Sequence, residues 1–479
     1  MTTVLRNARV GGGDVIDVRV ENGAITQIGA GLERSAEEVE LDGRILLPGM
    51  WDNHVHFTQW AMVQQRVDLS GARSAAETAA LVASALPQRA GVPLTGFGFR
   101  DGLWPDAPTR TMLDDAAGRH PVVLVSADLH TVWLNSAALE RYGHADHPTG
   151  LLQEEAAFEV TRRIGTVPEA TLDAWVATAG EHAARRGVVG VVDLEMRWNL
   201  DPWVRRTANG FESLRVEFGI YTRDLERAIG MGLRTGMAIN DLVTVGGYKV
   251  LTDGSLNTRT AFCHDEYPGL EGQANSRGLL EVPPERLVPL MRRASEAGLV
   301  PDVHAIGDRA NTLALDAFEA LGIGGRIEHA QLLDESDVGR FAELGVVASV
   351  QPEHAMDDRD VADRYWAGKT ARSFALKTLL DAGAELALGS DAPVAPLDPW
   401  VTLAAAVDRS RDGRPPWHPE QAISVEAALA ASTRTRVQVG QPADLIVVER
   451  DPFHCTSDEL RSMPVAATML GGRFTHRTL

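Results

Sequence analysis

An alternation of apolar strands with helical segments constrains the fold of this chain more than any other feature. Strand–helix alternation with near-continuous apolar strands is typical of a parallel α/β sheet. Eight such strands favour a (β/α)8 TIM barrel. A doubly wound open sheet is the alternative, but no Gly-rich phosphate fingerprint follows the first strand. The strands are predicted over 44–56, 187–194, 214–221, 243–251, 299–305, 325–331, 345–351 and 385–391.

Both ends of the chain contain short strands and turns. Residues 3–48 alternate apolar and polar positions around Asn-Gly and Asp-Gly turns, and residues 443–476 show a similar pattern. This predicts one small β domain made by both termini, with two separate sheets as the alternative. The first two barrel strands are separated by far more residues than one crossover helix needs. We therefore predict an inserted subdomain at about 58–186.

The acidic balance of the chain restricts its partners. The net charge is −20, and phosphate binding needs clustered Lys and Arg, so nucleic acid is not an expected partner. Cys263 and Cys455 are far apart in sequence and indicate a reducing compartment rather than a disulfide framework. The N-terminus lacks a signal-peptide pattern, and no apolar stretch approaches a membrane span. We expect a cytoplasmic protein without a membrane partner, and a homodimer stays an open alternative.

Polar side chains occur where the predicted strands end. In a barrel, catalytic groups come from the carboxyl ends of the strands, which meet at one rim. Each residue alone has a simpler interpretation, such as a buried rim histidine or, for an aspartate, a helix N-cap. Together they predict a divalent metal site, since histidine and carboxylate clusters are what such sites require. The residues are His54, His56, Lys249, His304, His329 and Asp391.

Several ordered motifs resemble those of one known family. The chain contains, in order, LPGMWDNHVHF, YKVLTDGSLNTRTA, DVHAIGDRAN, RIEHAQ, LGSDAPVAPLDPW and PADLIVVERDPF. Together they resemble the amidohydrolase superfamily of metal-dependent hydrolases, and most closely its amidohydrolase 3 branch, which is similar to N-substituted formamide deformylases. The resemblance covers almost the whole chain. It implies a barrel at 49–434 and a β-sandwich made of 1–48 and 435–479.

The resemblance also implies a role for the polar residues at the strand ends. One divalent cation would be bound by His54, His56 and Asp391, and a second by His304 and His329. Asp391 would also act in proton transfer, and His329 or a neighbouring donor would stabilise the oxyanion. Zinc is the expected metal, although the same ligands suit iron, manganese or nickel.

Lys249 would bridge the two cations as a carboxylated lysine. The chain has only three lysines, which are Lys249, Lys369 and Lys377. Only an amine with a reachable neutral form adds CO2, which arginine cannot do, and adjacent cations would stabilise the carbamate anion. The alternative is an unmodified cation paired with Asp253, with one metal bound.

These features predict a hydrolase of a non-peptide C–N bond, as in an amide, an N-formyl amine or an N-acyl amine. Metal-activated water would attack the carbonyl carbon, and Asp391 would pass the proton to the leaving nitrogen. A deaminase or a lactone or ester hydrolase on the same scaffold is the alternative, since a fold does not determine a function. A non-catalytic metal-binding regulatory protein is a third alternative, which the intact ligand set disfavours.

The insertion and the rim loops are expected to wall the substrate pocket. Tryptophans in the insertion suggest an apolar or aromatic substituent on the amide, with subdomain core as the alternative for each of them. Arg309 would meet an anionic substrate group or pair with Asp308 or another nearby acid. The substrate-binding candidates are Trp60, Arg100, Trp104, His130, Trp133, Glu154 and Arg309.

Overall fold

Two compact units make up the chain. The computed structural model describes residues 2–11, 13–86, 93–99, 101, 104–126, 131–153, 155–164 and 167–479, without the side chains of residues 155, 158 and 162. The barrel unit comprises Met1–Gln59 and Gly180–Leu479, and the insert unit comprises Trp60–Ala179. Among the described helices, none has the length and apolar character needed to cross a bilayer.

A parallel eight-stranded sheet forms the centre of the barrel unit. Every neighbouring pair in this sheet is parallel. Each of the eight predicted strands contributes a strand to this sheet, in sequence order, which confirms the predicted barrel sheet. We number the barrel strands first to eighth along the chain. They are Met50–Val55, Val188–Asp193, Arg215–Tyr221, Val243–Leu251, Pro301–Ala305, Gly325–His329, Val346–Val350 and Leu386–Leu388.

Backbone hydrogen bonds join the first barrel strand to the segment that follows the eighth. The N–H of Asp391 donates to the carbonyl of His54 at 2.7 Å, and the N–H of His56 donates to the carbonyl of Ala392 at 2.8 Å. These two bonds close the sheet on itself at its carboxyl end. They also bring His54, His56 and Asp391 to the same place.

Side chains of the first strand reinforce this closure. The buried Asp52 carboxylate accepts a hydrogen bond from the N–H of Ser390 at 2.9 Å and another from the N–H of His54 at 3.2 Å. The Asn53 amide donates to the carbonyl of Leu388 at 3.0 Å. Burial raises the pKa of Asp52 to about 7. The closure therefore depends on side chains as well as on the backbone.

The segment predicted as one strand over 44–56 is two strands in two sheets, so this prediction was wrong. Ile45–Pro48 belongs to a sheet made by the chain ends, and Met50–Val55 belongs to the barrel. Both parts are buried, so the apolar pattern does not show the break between them. Gly49 lies at the break, where a Cβ would come within 2.4 Å of the Val189 side chain.

Strands from both ends of the chain share one sheet, which confirms that the termini meet. Leu445–Val448 pairs antiparallel with Ile45–Pro48. Apolar side chains from both ends form one buried cluster, which includes Leu5 and Val447. The two-layer sandwich stays a prediction. The strands are Thr2–Val10, Val15–Glu21, Ala24–Gly29, Glu37–Glu40, Ile45–Pro48, Leu445–Val448, Val465–Leu470 and Arg473–Arg477.

The insert unit has a sheet and core of its own. Its strands are Arg66–Asp68, Leu94–Phe99, Val122–Ser126, Thr131–Leu134 and Leu151–Gln153. Val122–Ser126 and Thr131–Leu134 pair antiparallel in this sheet.

Helices alternate with the barrel strands as the sequence pattern predicts. Up to the second barrel strand the α-helices are Phe57–Val63, Ala75–Ala85, Arg110–Ala117, Ser136–Tyr142, Glu155–Ile164 and Glu169–Arg185. Later α-helices are Leu200–Ala208, Leu225–Gly230, Pro284–Glu296, Asp308–Leu321, Val338–Leu344, Pro352–Tyr365, Leu376–Asp381, Pro399–Asp408, Val425–Ala431 and Ser457–Arg461.

The closure predicts an effect of Gly389→Ala. A Cβ at this position would lie 2.7 Å from the backbone N of His54. We expect this overpacking to lower the free energy of unfolding by about 1–3 kcal/mol, measured by urea denaturation. The control is Gly230→Ala, because a Cβ there meets nothing within 4 Å. Equal urea midpoints for the two variants would contradict this account of the closure.

Candidate active site

All six polar residues predicted at the strand ends line one cavity. His54 is the penultimate residue of the first strand, His329 is the last residue of the sixth, and Asp391 follows the eighth. The cavity has a volume of about 410 Å3, within the usual range for small-molecule sites. The predicted residues that line it are His54, His56, Lys249, His304, His329 and Asp391.

One oxygen of Asp391 lies at ligand spacing from two histidines. Asp391 Oδ1 is 3.4 Å from His54 Nε2 and 3.3 Å from His56 Nε2. Two ligands of a tetrahedral ion with bonds of about 2.1 Å lie about 3.4 Å apart. Ligand atoms of His54, His329 and Asp391 all lie within 4.8 Å of one another. This group is able to hold a metal ion.

The histidines form a continuous chain of rings around the cavity. The ring centroids of His329 and His304 are 4.5 Å apart, and those of His329 and His54 are 5.1 Å apart. The His329 ring is therefore next to both the His54 ring and the His304 ring. The structure groups His329 with His54 and Asp391, whereas the family resemblance assigns His329 to a second metal.

Left-handed backbone conformations occur at two of these residues. The φ angle is 76° at His329 and 58° at Asp391. Such angles cost about 1–3 kcal/mol for a residue with a Cβ, and they concentrate at functional sites. At His329, the last residue of its strand, this conformation allows the side chain to leave the alternation of the strand and point into the cavity.

Burial lowers the pKa of three histidines of the cavity, which favours their neutral form. Burial, followed by the positive charge of Lys249, lowers the pKa of His304 to about 3. Burial also lowers the pKa of His54 and holds the pKa of His329 well below its usual value. A neutral imidazole has a free lone pair, which is the form that binds metal ions.

Asp391 is ionised despite its burial. Burial alone would raise the pKa of the Asp391 carboxyl. The electrostatic interaction with the neighbouring His54 imidazole and a hydrogen bond from His56 more than offset this and hold the pKa below its usual value. The carboxylate is therefore available as a ligand or as a proton acceptor.

Glu328 supports the first histidine. Its carboxylate lies 2.5 Å from His54 Nδ1, which leaves Nε2 of the same ring for the cavity. The other oxygen of Glu328 accepts a hydrogen bond from Arg326 Nε at 3.1 Å. Burial would raise the pKa of Glu328, but the charges of Arg326 and Lys249 hold it well below its usual value. Sequence reasoning missed Glu328 because it sits inside a strand, one residue before His329.

Lys249 is almost fully buried, and its amine has no hydrogen-bond partner among the described residues. Asp302 Oδ1 lies 3.9 Å from Lys249 Nζ. Burial and the neighbouring Glu328 raise the pKa of Asp302. The expected alternative partner, Asp253, instead accepts hydrogen bonds from three backbone N–H groups, including that of Gly307 at 2.9 Å. The pairing of Lys249 with Asp253 was therefore wrong.

His354 is a second residue that sequence reasoning missed. It lines the same cavity, and its Nε2 lies 3.7 Å from Asp391 Oδ2. The signal was present in the sequence, because His354 follows the predicted strand 345–351 by only three residues. It lies on a helix and not at a strand end, so the pattern of polar residues at strand ends does not include it.

The described members of the predicted substrate-binding set lie in different parts of the structure. Trp104 and Trp133 belong to the core of the insert unit, and Trp133 is 0% exposed. Its indole N–H donates to the carbonyl of Thr109. These placements fit the core alternative better than a substrate contact. Trp60 is half-buried on the helix Phe57–Val63.

Arg309 does not line the described cavity. The Asp308 carboxylate accepts a hydrogen bond from Lys369 Nζ at 3.3 Å, and the described residues show no ion pair between Arg309 and Asp308. The remaining candidates, Arg100, His130 and Glu154, lie outside the described residues.

The fold and the polar rim define a barrel enzyme with a site for a divalent cation. A sequence model of the amidohydrolase family matches residues 37–476. The chain belongs to the amidohydrolase family, which is a family of hydrolases.

Relatives of similar length support this assignment. The LONG AFTER FAR-RED 3 protein of Arabidopsis thaliana is 29% identical over 95% of this chain and 87% of its own length. An N-substituted formamide deformylase of Arthrobacter pascens is 26% identical over 97% of this chain and 93% of its own length. A crystal structure of an uncharacterised metal-dependent hydrolase from Pyrococcus horikoshii OT3 is similar, with a TM-score of 0.78, 26% identity and coverage of 96% of this chain and 99% of that one.

The contact between Glu328 and His54 predicts a loss of metal affinity in Glu328→Gln. The variant removes the charge that orients His54 and leaves Arg326 without its buried counter-ion. We expect affinity for a divalent cation to fall about 10–100-fold, measured by competition with a chromophoric chelator. The control is Glu385→Gln, which changes an exposed residue. Equal affinities in the two variants would contradict the role given to Glu328.

Proposed function

We propose that this protein hydrolyses the C–N bond of a non-peptide amide, such as an N-formyl or N-acyl amine. The observation that carries the proposal is the ligand spacing between Asp391 Oδ1 and the Nε2 atoms of His54 and His56. The family assignment supports hydrolysis of amide-type bonds. The name of the relative from Arthrobacter pascens supports a formamide as one substrate class.

The buried polar atoms fit a bound cation. His304 Nε2, His329 Nδ1 and Lys249 Nζ are buried and have no hydrogen-bond partner among the described residues. Unpaired buried polar atoms are costly, and a metal ion or a carboxylated lysine would satisfy them. We propose zinc, held by His54, His56 and Asp391 together with this group. When bound, zinc lowers the pKa of water and polarises a carbonyl group.

Asp391 would move the proton in the reaction. Oδ1 of this carboxylate faces His54 and His56, and Oδ2 would take the proton of the attacking water. The C–N bond then breaks, and the same proton passes to the leaving nitrogen. One amide and one water become one carboxylic acid and one amine.

The cavity walls favour an apolar substituent on the substrate. Away from the histidines, apolar side chains line much of the cavity, and Val394 and Met196 are 66% and 50% exposed. Exposed apolar groups beside a site commonly bind an apolar part of a ligand. The apolar lining comprises Met196, Leu251, Leu256, Ile306, Pro393 and Val394.

An assay of released amine tests the proposed function. We would incubate the zinc-loaded protein with N-benzylformamide and N-benzylacetamide and measure benzylamine and ammonia separately. Benzylamine release, lost in Asp391→Asn, is the expected result. Ammonia release from amino-substituted heterocycles without benzylamine release would support a deaminase instead. No hydrolysis of either class would favour a metal-binding regulatory protein.

The buried amine of Lys249 predicts a carbamate. Native mass spectrometry in bicarbonate should show about 44 Da of extra mass, and elemental analysis should show about two metal ions per chain. We expect Lys249→Ala to lose the extra mass and at least one metal ion. The control is Lys377→Ala, since Lys377 is an exposed lysine that pairs with Asp381. One metal and no added mass in the wild type would leave Lys249 an ordinary cation.

A further inference from the structure

We propose that His354 is a further catalytic residue, which donates a hydrogen bond from Nε2 to the oxygen of the substrate carbonyl group as that oxygen gains charge. This inference rests on the proposed amide hydrolysis and adds a residue to it. It starts from the position of His354 on the helix Pro352–Tyr365, which begins two residues after the seventh barrel strand ends. The short connection places the first turn of this helix at the rim.

His354 faces the reacting centre. Its residue is 7% exposed, and its ring stacks on His329 with centroids 6.0 Å apart and planes inclined by 18°. Its Nε2 is 3.7 Å from Asp391 Oδ2, whereas Asp391 Oδ1 faces His54 and His56. The histidine therefore lies on the side of Asp391 that is turned away from the other two rings.

The Nε2 atom of His354 has no hydrogen-bond partner among the described residues. At 3.7 Å it is too far from Asp391 for a hydrogen bond, yet a third atom could contact both groups. A carboxylate at this distance favours the tautomer with hydrogen on Nε2. A buried donor without an acceptor is costly for a folded protein, and it commonly marks a place where a ligand supplies the acceptor.

Ion pairs to a buried carboxylate hold the first turn of this helix in place. Glu353, which is 3% exposed, accepts from Arg411 Nη1 at 2.8 Å and from Arg461 Nη1 at 3.0 Å. Arg461 also donates to the carbonyl of Ser410. The residue before His354 is thus tied to two other segments. A donor that is fixed before the reaction stabilises developing charge without reorganisation.

In the proposed chemical step, His354 acts only as a hydrogen-bond donor. Water adds to the carbonyl carbon, the C=O π pair moves to the oxygen, and the His354 N–H stabilises that oxygen. Asp391 holds the proton from the water. The pair then returns to re-form C=O, the C–N bond breaks, and the nitrogen takes the proton from Asp391. His354 keeps its own hydrogen throughout.

Paired substitutions test this role. His354→Phe keeps a ring of similar size but removes the donor, and His354→Gln retains an amide N–H. With N-benzylacetamide we expect kcat of the Phe variant to fall about 10²–10³-fold with little change in KM. The Gln variant should recover at least about tenfold of this loss. The control is His264→Phe, because His264 is a half-buried histidine whose ring contacts Thr312 and does not line the cavity.

Binding of a tetrahedral probe separates this role from a structural one. N-benzyl methylphosphonamidate mimics the tetrahedral intermediate, and N-benzylacetamide mimics the ground state. We expect His354→Phe to weaken phosphonamidate binding by about 100-fold, with amide binding and zinc content unchanged. Circular dichroism and the His354→Gln variant show whether a loss in the Phe variant is due to misfolding.

Four other results would contradict the role of His354, the proposed function or both. A kcat for His354→Phe within about threefold of the wild type overturns the proposal. Loss of zinc in that variant also overturns it, since His354 would then be a metal ligand. A wild type that cleaves no amide overturns the proposed function alone, if phosphonamidate binding still weakens in the Phe variant. A wild type that neither cleaves the amides nor binds the phosphonamidate overturns both.

Discussion

The backbone hydrogen bonds between the first barrel strand and the segment after the eighth determine the geometry of the whole site. Asp391 donates to the carbonyl of His54, and His56 donates to the carbonyl of Ala392. The register of these bonds places the Asp391 carboxylate against both imidazoles. Because Asp52 also bonds to both segments, a slip of one residue would disturb every contact at once. The barrel therefore serves as the template on which the candidate metal ligands are arranged.

A network of buried charges surrounds this template. Glu328 lies between His54 and Arg326, and Lys249 lies near Asp302. Burying ions is costly unless each has partners, and their mutual attraction only partly offsets the loss of hydration. Such a network contributes little net stability, but it fixes which atom of each side chain faces the cavity. A bound cation would add positive charge where the carboxylates are concentrated.

Sequence reasoning found the barrel and the six rim residues because strand ends are visible in an apolar pattern. Strand alternation places Arg326 and Glu328 on one face of the sixth strand. Sequence reasoning could not show that Glu328 contacts His54 and Arg326, because a buried carboxylate in a strand looks like any other polar position in the sequence. It placed His329 at the rim, but only the left-handed backbone explains how that side chain leaves the alternation. His354 was missed because it lies in the first turn of a helix and not at the end of a strand. The tryptophans of the insertion were ambiguous, since a pattern does not distinguish a pocket wall from a core.

The closure also has a consequence for the order in which the protein folds. His54 and its partner Glu328 are separated by 274 residues, and Asp391 lies further along the chain still. Contacts between such distant residues form late, because the loop between them must be ordered before they are gained. During synthesis, the histidines of the first strand emerge long before the residues that complete their surroundings. A chain arrested before the eighth strand would expose isolated imidazoles rather than a site, so uptake of a cation would mark the end of folding.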